Sequence, residues 1–254
     1  MIEVNTECLA GIECLHAFPA GQRDTPLPTV LFWHGYTSSK EVYAYFAVAL
    51  AQAGFRAILP DAAMHGARYD GDAERRSTHF WEILRSNIDE LPALEQALRQ
   101  QQWVDGSRLA VAGASMGGMT ALGALARYPQ LHSAACMMGS GYFSQLAQTL
   151  FPPLVAKTPD EHHALAARLA PLDEYEVSHQ LEKLASRPLL VWHGEADEVV
   201  PAAESVRLEK ALRDSGQNRN LTFLIEKGIG HRITPPALTA MTTFFKQHLS
   251  SVGR

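Results

Sequence analysis

A mainly parallel β-sheet with helices on both faces is the architecture this sequence predicts, and three observations carry it. Short apolar runs alternate with amphipathic or alanine-rich segments through most of the chain, the rhythm of repeated strand–helix–strand units. Glycine or proline closes these segments, as Gly54, Pro60 and Pro129 do,. The chain has 254 residues, 46% of them hydrophobic and 19% charged, which suits one large core and is not the composition of a disordered protein.

The elements follow in order. Residues 29–33 (Thr-Val-Leu-Phe-Trp) read as a short buried strand ending at His34-Gly35,. Residues 41–53 read as a helix closed by Gly54, and residues 55–59 as a strand stopped by Pro60,. A long helix is expected from Ser77 to about Gln101, kinked or split at Pro92,. Residues 108–112 form a strand, 116–128 a helix ended by Pro129, and 133–138 a weaker, alanine-rich strand,. The rhythm breaks at residues 139–187, which hold Pro152-Pro153, Pro159 and Pro171. That stretch is too short for a core of its own and reads as a cap of short helices inserted into a single domain spanning 1–254,. Strands at 189–192 and 221–225 and helices at 202–213 and 236–249 complete the pattern,.

Composition excludes several classes. Lys and Arg number 22 against 27 Asp and Glu, a net charge of −5 with no basic footprint for nucleic acid or an anionic membrane,. The first residues carry two acids and no base, unlike a signal peptide, and no run approaches the ~18 apolar residues of a membrane span,. Cys8, Cys14 and Cys136 are too few for a disulfide framework, so a reducing, cytoplasmic compartment is expected,. There is no H-E-x-x-H and no paired C-x-x-C, so no metal and no cofactor are expected,.

The chemistry concentrates in Gly113-Ala114-Ser115-Met116-Gly117. A G-x-S-x-G run alone is weak evidence; placed between a predicted strand and a predicted helix, it puts the serine on a strained turn with its hydroxyl exposed at the sheet edge. A serine hydroxyl needs a base to become a nucleophile, and the base needs an orienting acid. Asp197 and His231 supply them in that chain order, each in a loop after a predicted strand,. Glu195 and Glu198 are rivals for the acid on the same loop. Two backbone N–H groups must face the developing oxyanion: one belongs to Met116, the other to the loop His34-Gly35-Tyr36, at Tyr36 or one residue on at Thr37.

Together these pieces resemble the α/β-hydrolase superfamily, and Asp197 to Pro201 is similar to its dienelactone-hydrolase and prolyl-oligopeptidase-like branch. Residues 46–54, 137–143 and 231–235 extend the likeness over the whole chain to small carboxylesterases of that branch. The resemblance implies Ser115 as nucleophile, Asp197 as acid and His231 as base, with no cofactor. Dienelactone hydrolases proper use a cysteine nucleophile and prolyl oligopeptidases carry a propeller, so neither substrate class carries over.

The expected activity is hydrolysis of short-chain carboxylic esters through an acyl-enzyme, with a small-molecule ester as the only partner and the oligomeric state left open. The same triad serves thioesterases, amidases and acyltransferases, and the scaffold also hosts non-catalytic binding proteins. Tyr142, Phe143 and Phe151, with Phe80 and Trp81, either wall the acyl pocket or join cap to body. Asp61 to Gly66 is read as a structural loop, and His162-His163 as solvated. Asp160, Glu161, Asp173, Glu174 and Glu176 make the cap polar, which favours a short pocket over a lipase-like face,.

Overall fold

The computed structural model describes residues 1–250. One eight-stranded sheet contains β1 (Ile2–Leu9), β2 (Ile12–Pro19), β3 (Leu27–Trp33), β4 (Arg56–Pro60), β5 (Val104–Ala114), β6 (Ala134–Met137), β7 (Leu189–Gly194) and β8 (Leu221–Glu226), in the order β1-β2-β4-β3-β5-β6-β7-β8. Strands β3 to β8 are mutually parallel, while β1 and β2 form an antiparallel edge. The helices are α1 (Ala44–Gln52), α2 (Ala73–Ser77), α3 (Phe80–Gln100), α4 (Met116–Arg127), α5 (Phe143–Leu146), α6 (Pro159–Leu169), α7 (Leu181–Ala185), α8 (Ala202–Asp214) and α9 (Pro235–His248). No helix among the described residues is long and apolar enough to cross a membrane.

Side-chain alternation divides the core into two layers. Leu31 and Trp33 of β3 face a layer shared with α3, α4 and α8, while Val30 and Phe32 face a layer shared with α1 and α9. Both faces of β3 are covered, which is why it reads as an unbroken apolar run,. The alanine-rich β6 is held between β5 and β7 with every residue buried, so its position outweighs its weak strand propensity,. Helix α1 ends as its sequence promises. Phe55 N–H donates to Leu50 C=O and Gly54 N–H to Ala51 C=O, with Gly54 at φ +94°, a conformation glycine adopts without a Cβ penalty,.

Two expectations need correction. The hairpin β1–β2 is an addition, joined by Ala10 and Gly11, both at positive φ, as a two-residue type I′ turn requires,. Helix α3 is continuous through Pro92, and the helical segment before it is the separate α2. Proline leaves the carbonyl four residues earlier without its helical donor. That carbonyl belongs to Ile88, and it accepts the Tyr128 hydroxyl at 2.9 Å, so the break is repaired from outside the helix.

The cap lies between β6 and β7 and runs along α3 on the first core layer. Trp81 Nε1 donates to Leu150 C=O (3.0 Å), Arg168 pairs with Glu82 (2.8 Å), and the Tyr175 hydroxyl donates to Asp89. Asp160, Glu161, His162 and His163 are exposed, as expected. Glu176 is not: it is buried and accepts from Ser144 N–H (2.8 Å) and the Ser178 hydroxyl (2.7 Å), ordering the start of the cap.

Three histidines with no solvent access at their rings are held neutral. Burial, then the nearby Arg56 and Arg23, pushes His16 down to about 3; burial pushes His65 down to about 4 and lowers His34. Below about pH 6.5 the unfolded chain takes up protons that these folded sites refuse, so stability present above that pH is lost as pH falls. The thermal midpoint is therefore expected to drop steadily from pH 7 to pH 4.5 in a melting series. A midpoint unchanged across that interval would contradict this assignment.

Candidate active site

The strand order reverses direction between β3 and β5: the chain crosses from β3 to β4 on one side and to β5 on the other. The carboxyl ends of two such strands leave a crevice, and Ser115 sits there, between β5 and α4. Its backbone is at φ +57°, ψ −118°, a strained conformation for a residue with a side chain,. Bonds from Ser115 N–H to Met137 C=O (2.9 Å) and from Met119 N–H to Ser115 C=O (3.0 Å) hold it. The flanking glycines are required by close approach: a methyl on Gly113 would overlap the Gly117 carbonyl, and one on Gly117 the Trp33 carbonyl.

His231 follows β8 and Asp197 follows β7. Glu195 N–H donates to Glu226 C=O and Ala196 N–H to Ile229 C=O, both at 2.9 Å, so the two loops are tied together. Ser115 Oγ lies 2.9 Å from His231 Nε2, and His231 Nδ1 lies 2.7 Å from Asp197 Oδ2. Since a carboxylate only accepts, Nδ1 carries the proton and Nε2 is free to accept from the serine hydroxyl. The His231 side chain is 20% exposed, whereas that of Asp197 is fully buried.

Burial alone would raise the Asp197 carboxyl. Hydrogen bonds from His193 and His231 outweigh it, helped by Val199 N–H, and hold the group well below the usual carboxylate range,. Oδ1 accepts from the N–H groups of Val199 (2.9 Å) and Val200 (3.0 Å). Glu195 and Glu198 are exposed; Glu195 accepts from Gly228 N–H at 3.1 Å. His193 escaped the sequence reading. It is buried, with Nδ1 2.7 Å from Ser205 Oγ and Nε2 within reach of both Val200 C=O (2.8 Å) and Asp197 Oδ2 (3.2 Å). The signal available was its position at the carboxyl end of a buried strand, four residues before the acid.

The Tyr36 and Met116 N–H groups have no acceptor among the described residues. The alternative donor, Thr37 N–H, is engaged with His65 Nε2 at 2.9 Å. A Cβ on Gly35 would lie 3.6 Å from Ser115 Cβ, so this loop runs directly beside the serine.

The aromatic residues separate. Phe151 is half-buried, its ring centroid 4.9 Å from those of both Tyr36 and Phe80, so it reaches from the cap to the loop beside Ser115. Phe143 has no accessible surface and packs near Trp81, in the role of core joining cap to body. Tyr142 is buried under the Arg207 guanidinium, 3.8 Å above its ring. Phe80 and Trp81 are buried in the same layer.

The Asp61 loop is structural in its contacts. Asp61 accepts from Lys40 Nζ (2.6 Å), Lys40 N–H (3.0 Å) and Ala67 N–H (2.9 Å). Asp61, Glu13 and Glu41 converge closely enough to hold a metal ion, but the Lys40 ammonium sits among them and supplies the positive charge. Cys14 and Cys136 are buried thiols that burial pushes up to about 12, while Cys8 is exposed.

Comparison with known proteins follows the same lines. Residues 84–251 match the prolyl oligopeptidase family. Esterase YjfP of Escherichia coli is 54% identical over 249 residues, 98% of this chain and 100% of its own length. YitV of Bacillus subtilis is 34% identical over 98% of this chain and 100% of its own. Among solved structures, TT1662 from Thermus thermophilus aligns over 99% of both chains with a TM-score of 0.79 at 23% identity, a likeness of fold.

Proposed function

The chain belongs to the prolyl oligopeptidase family of α/β-hydrolases, and from that premise we propose that it is a serine carboxylesterase acting on short-chain esters. The observation that carries the reading is the unbroken relay from Ser115 Oγ through His231 to Asp197 at the carboxyl ends of β5, β8 and β7. The Escherichia coli relative, matched over its full length, is named an esterase, which supports the ester as substrate class.

In this mechanism Ser115 Oγ attacks the ester carbonyl as His231 Nε2 takes its proton,. Asp197 keeps the imidazole in the Nδ1–H tautomer and stabilises its cation,. The N–H groups of Tyr36 and Met116 meet the oxyanion, the latter aided by the positive end of α4,. His231 then returns the proton to the leaving alcohol, and a water activated by the same nitrogen releases the acid. The free thiols suit a cytoplasmic enzyme,.

The acyl pocket is read as short, bounded by Phe151 and Tyr36 under a cap whose outer face is charged. Each methylene adds about 0.8 kcal/mol only while apolar wall remains to bury it. On 4-nitrophenyl esters of graded length, kcat/KM is expected to peak at acyl chains of about two to six carbons, where burial is still gained, and to fall steeply by about ten, where overpacking begins. Matched thioesters and amides are expected to be slower. An optimum on long-chain triglyceride droplets, or faster turnover of the matched thioester or amide, would overturn the assignment.

A further inference from the structure

Two buried imidazoles hold the two peptide planes on either side of Tyr36. His34 Nδ1 lies 2.7 Å from Gly35 C=O, and its Nε2 accepts from Ala62 N–H at 3.0 Å. His65 Nδ1 lies 2.8 Å from Ala63 C=O, and its Nε2 accepts from Thr37 N–H at 2.9 Å. A carbonyl only accepts and an amide N–H only donates. Both rings are therefore neutral, with the proton on Nδ1 and the lone pair on Nε2 committed to a backbone N–H.

The geometry has a direct consequence for the oxyanion donor. In a planar trans peptide the C=O and the following N–H are antiparallel, and no peptide bond here is cis. The Gly35 carbonyl that His34 grips is thus the far end of the peptide whose near end is the Tyr36 N–H. His65 grips the next peptide, at Thr37, whose φ of +59° marks the sharp turn in the loop. With both neighbouring planes fixed, the Tyr36 N–H has no freedom to rotate away from the crevice. The Tyr36 ring is held as well, its hydroxyl donating to Arg76 C=O at 2.9 Å and the ring packing edge-to-face with His65 and Phe80 and tilted against Phe151.

We infer that His34 and His65 are positioning residues that aim the Tyr36 N–H at the oxyanion, acting through the backbone and never touching substrate. The inference rests on the proposed role of Tyr36 in ester hydrolysis. The charged groups facing the pair are Asp61, Lys40 and Glu41 around His34, and Asp61 and Arg76 around His65. Burial, aided by Lys40 at His34 and Arg76 at His65, lowers both imidazoles against the pull of Asp61 and Glu41, so the neutral forms that the bonds require persist at pH 7,.

The two rings make opposite demands on a replacement. At His65 the atom that matters is the Nε2 acceptor, which the longer glutamine side chain reproduces and asparagine does not. At His34 it is the Nδ1 donor, which asparagine reproduces better. The test is kcat and KM for a short-chain ester with His65→Gln, His65→Asn, His34→Asn and His34→Gln, each checked for native circular dichroism and melting point.

The expected result is a crossed pattern. His65→Asn falls about 10- to 100-fold below His65→Gln in kcat, the scale of a donor misplaced by about 1 Å and less than that of one lost outright; His34→Gln falls likewise below His34→Asn, and KM is nearly unchanged throughout. Either pair suffices if the other yields no folded protein. Equal kcat within the folded pairs, a loss confined to KM, or a kcat that follows melting point and not side-chain reach would overturn the inference. Ser115→Ala assayed alongside separates the two levels. If it stays active the ester-hydrolase reading has failed; if it is inactive while the histidine pairs are indifferent, only the positioning role has.

Discussion

Replacing Ser115 by alanine is expected to lower kcat by about 10⁴- to 10⁶-fold, because members of a nucleophilic triad act as a unit and the loss of one forfeits nearly the whole. The fold is expected to survive. Ser115 Oγ has one bonding partner, His231 Nε2, so its removal exposes no buried donor or acceptor,. The φ of +57° costs alanine about as much as serine, so the strain on the turn is unchanged,. Ser115→Gly relieves that strain and is expected to be as inactive but more stable than Ser115→Ala. An alanine variant that retained a tenth of the native kcat would exclude Ser115 as the nucleophile.

Asp197→Asn is expected to cost about 10⁴-fold in kcat through the tautomer of the base. Asp197 Oδ1 accepts two backbone N–H groups, from Val199 and Val200, so the amide oxygen of asparagine is drawn to that side. Its NH₂ then faces His231 Nδ1 and His193 Nε2, where the carboxylate had accepted. To avoid a donor–donor clash, His231 must move its proton to Nε2, and that nitrogen can no longer take the proton of Ser115. Glu195→Gln and Glu198→Gln, on exposed side chains of the same loop, are expected to leave kcat nearly unchanged. Losses at either glutamate as large as at Asp197, with Asp197→Asn mild, would transfer the role of the acid.

The inner parallel strands were legible because burial on both faces writes itself as unbroken apolar runs, such as Val30 to Trp33 and Leu189 to Trp192,. The N-terminal hairpin carried a fainter signal. Ile2, Val4, Thr6 and Cys8 alternate with Glu3, Asn5 and Glu7, and the turn is Ala10-Gly11, short of the Asn-Gly or Asp-Gly pair that marks such turns,. Pro92 misled for a different reason: its cost is met by Tyr128, which lies 40 residues along the chain from the Ile88 carbonyl it caps, and no local pattern reveals that. Residues 115, 197 and 231 were legible because each requires a chemical type at a strand end. The supports around them were not. His34 and His193 stand at the ends of buried strands, but the bonds that tie them and His65 to backbone or side chains of other elements leave no mark in the sequence.

Turnover through Ser115 passes through a covalent acyl-enzyme, which mass spectrometry of the enzyme quenched in acid during turnover of a short-chain 4-nitrophenyl ester detects. The expected result is a mass increase equal to the acyl group, mapped to the peptide containing Ser115, absent from Ser115→Ala and accumulating in a variant impaired in deacylation. Full turnover with the acyl group on another residue, or rapid hydrolysis that continues unabated in Ser115→Ala with no acyl adduct at any time point, would contradict it.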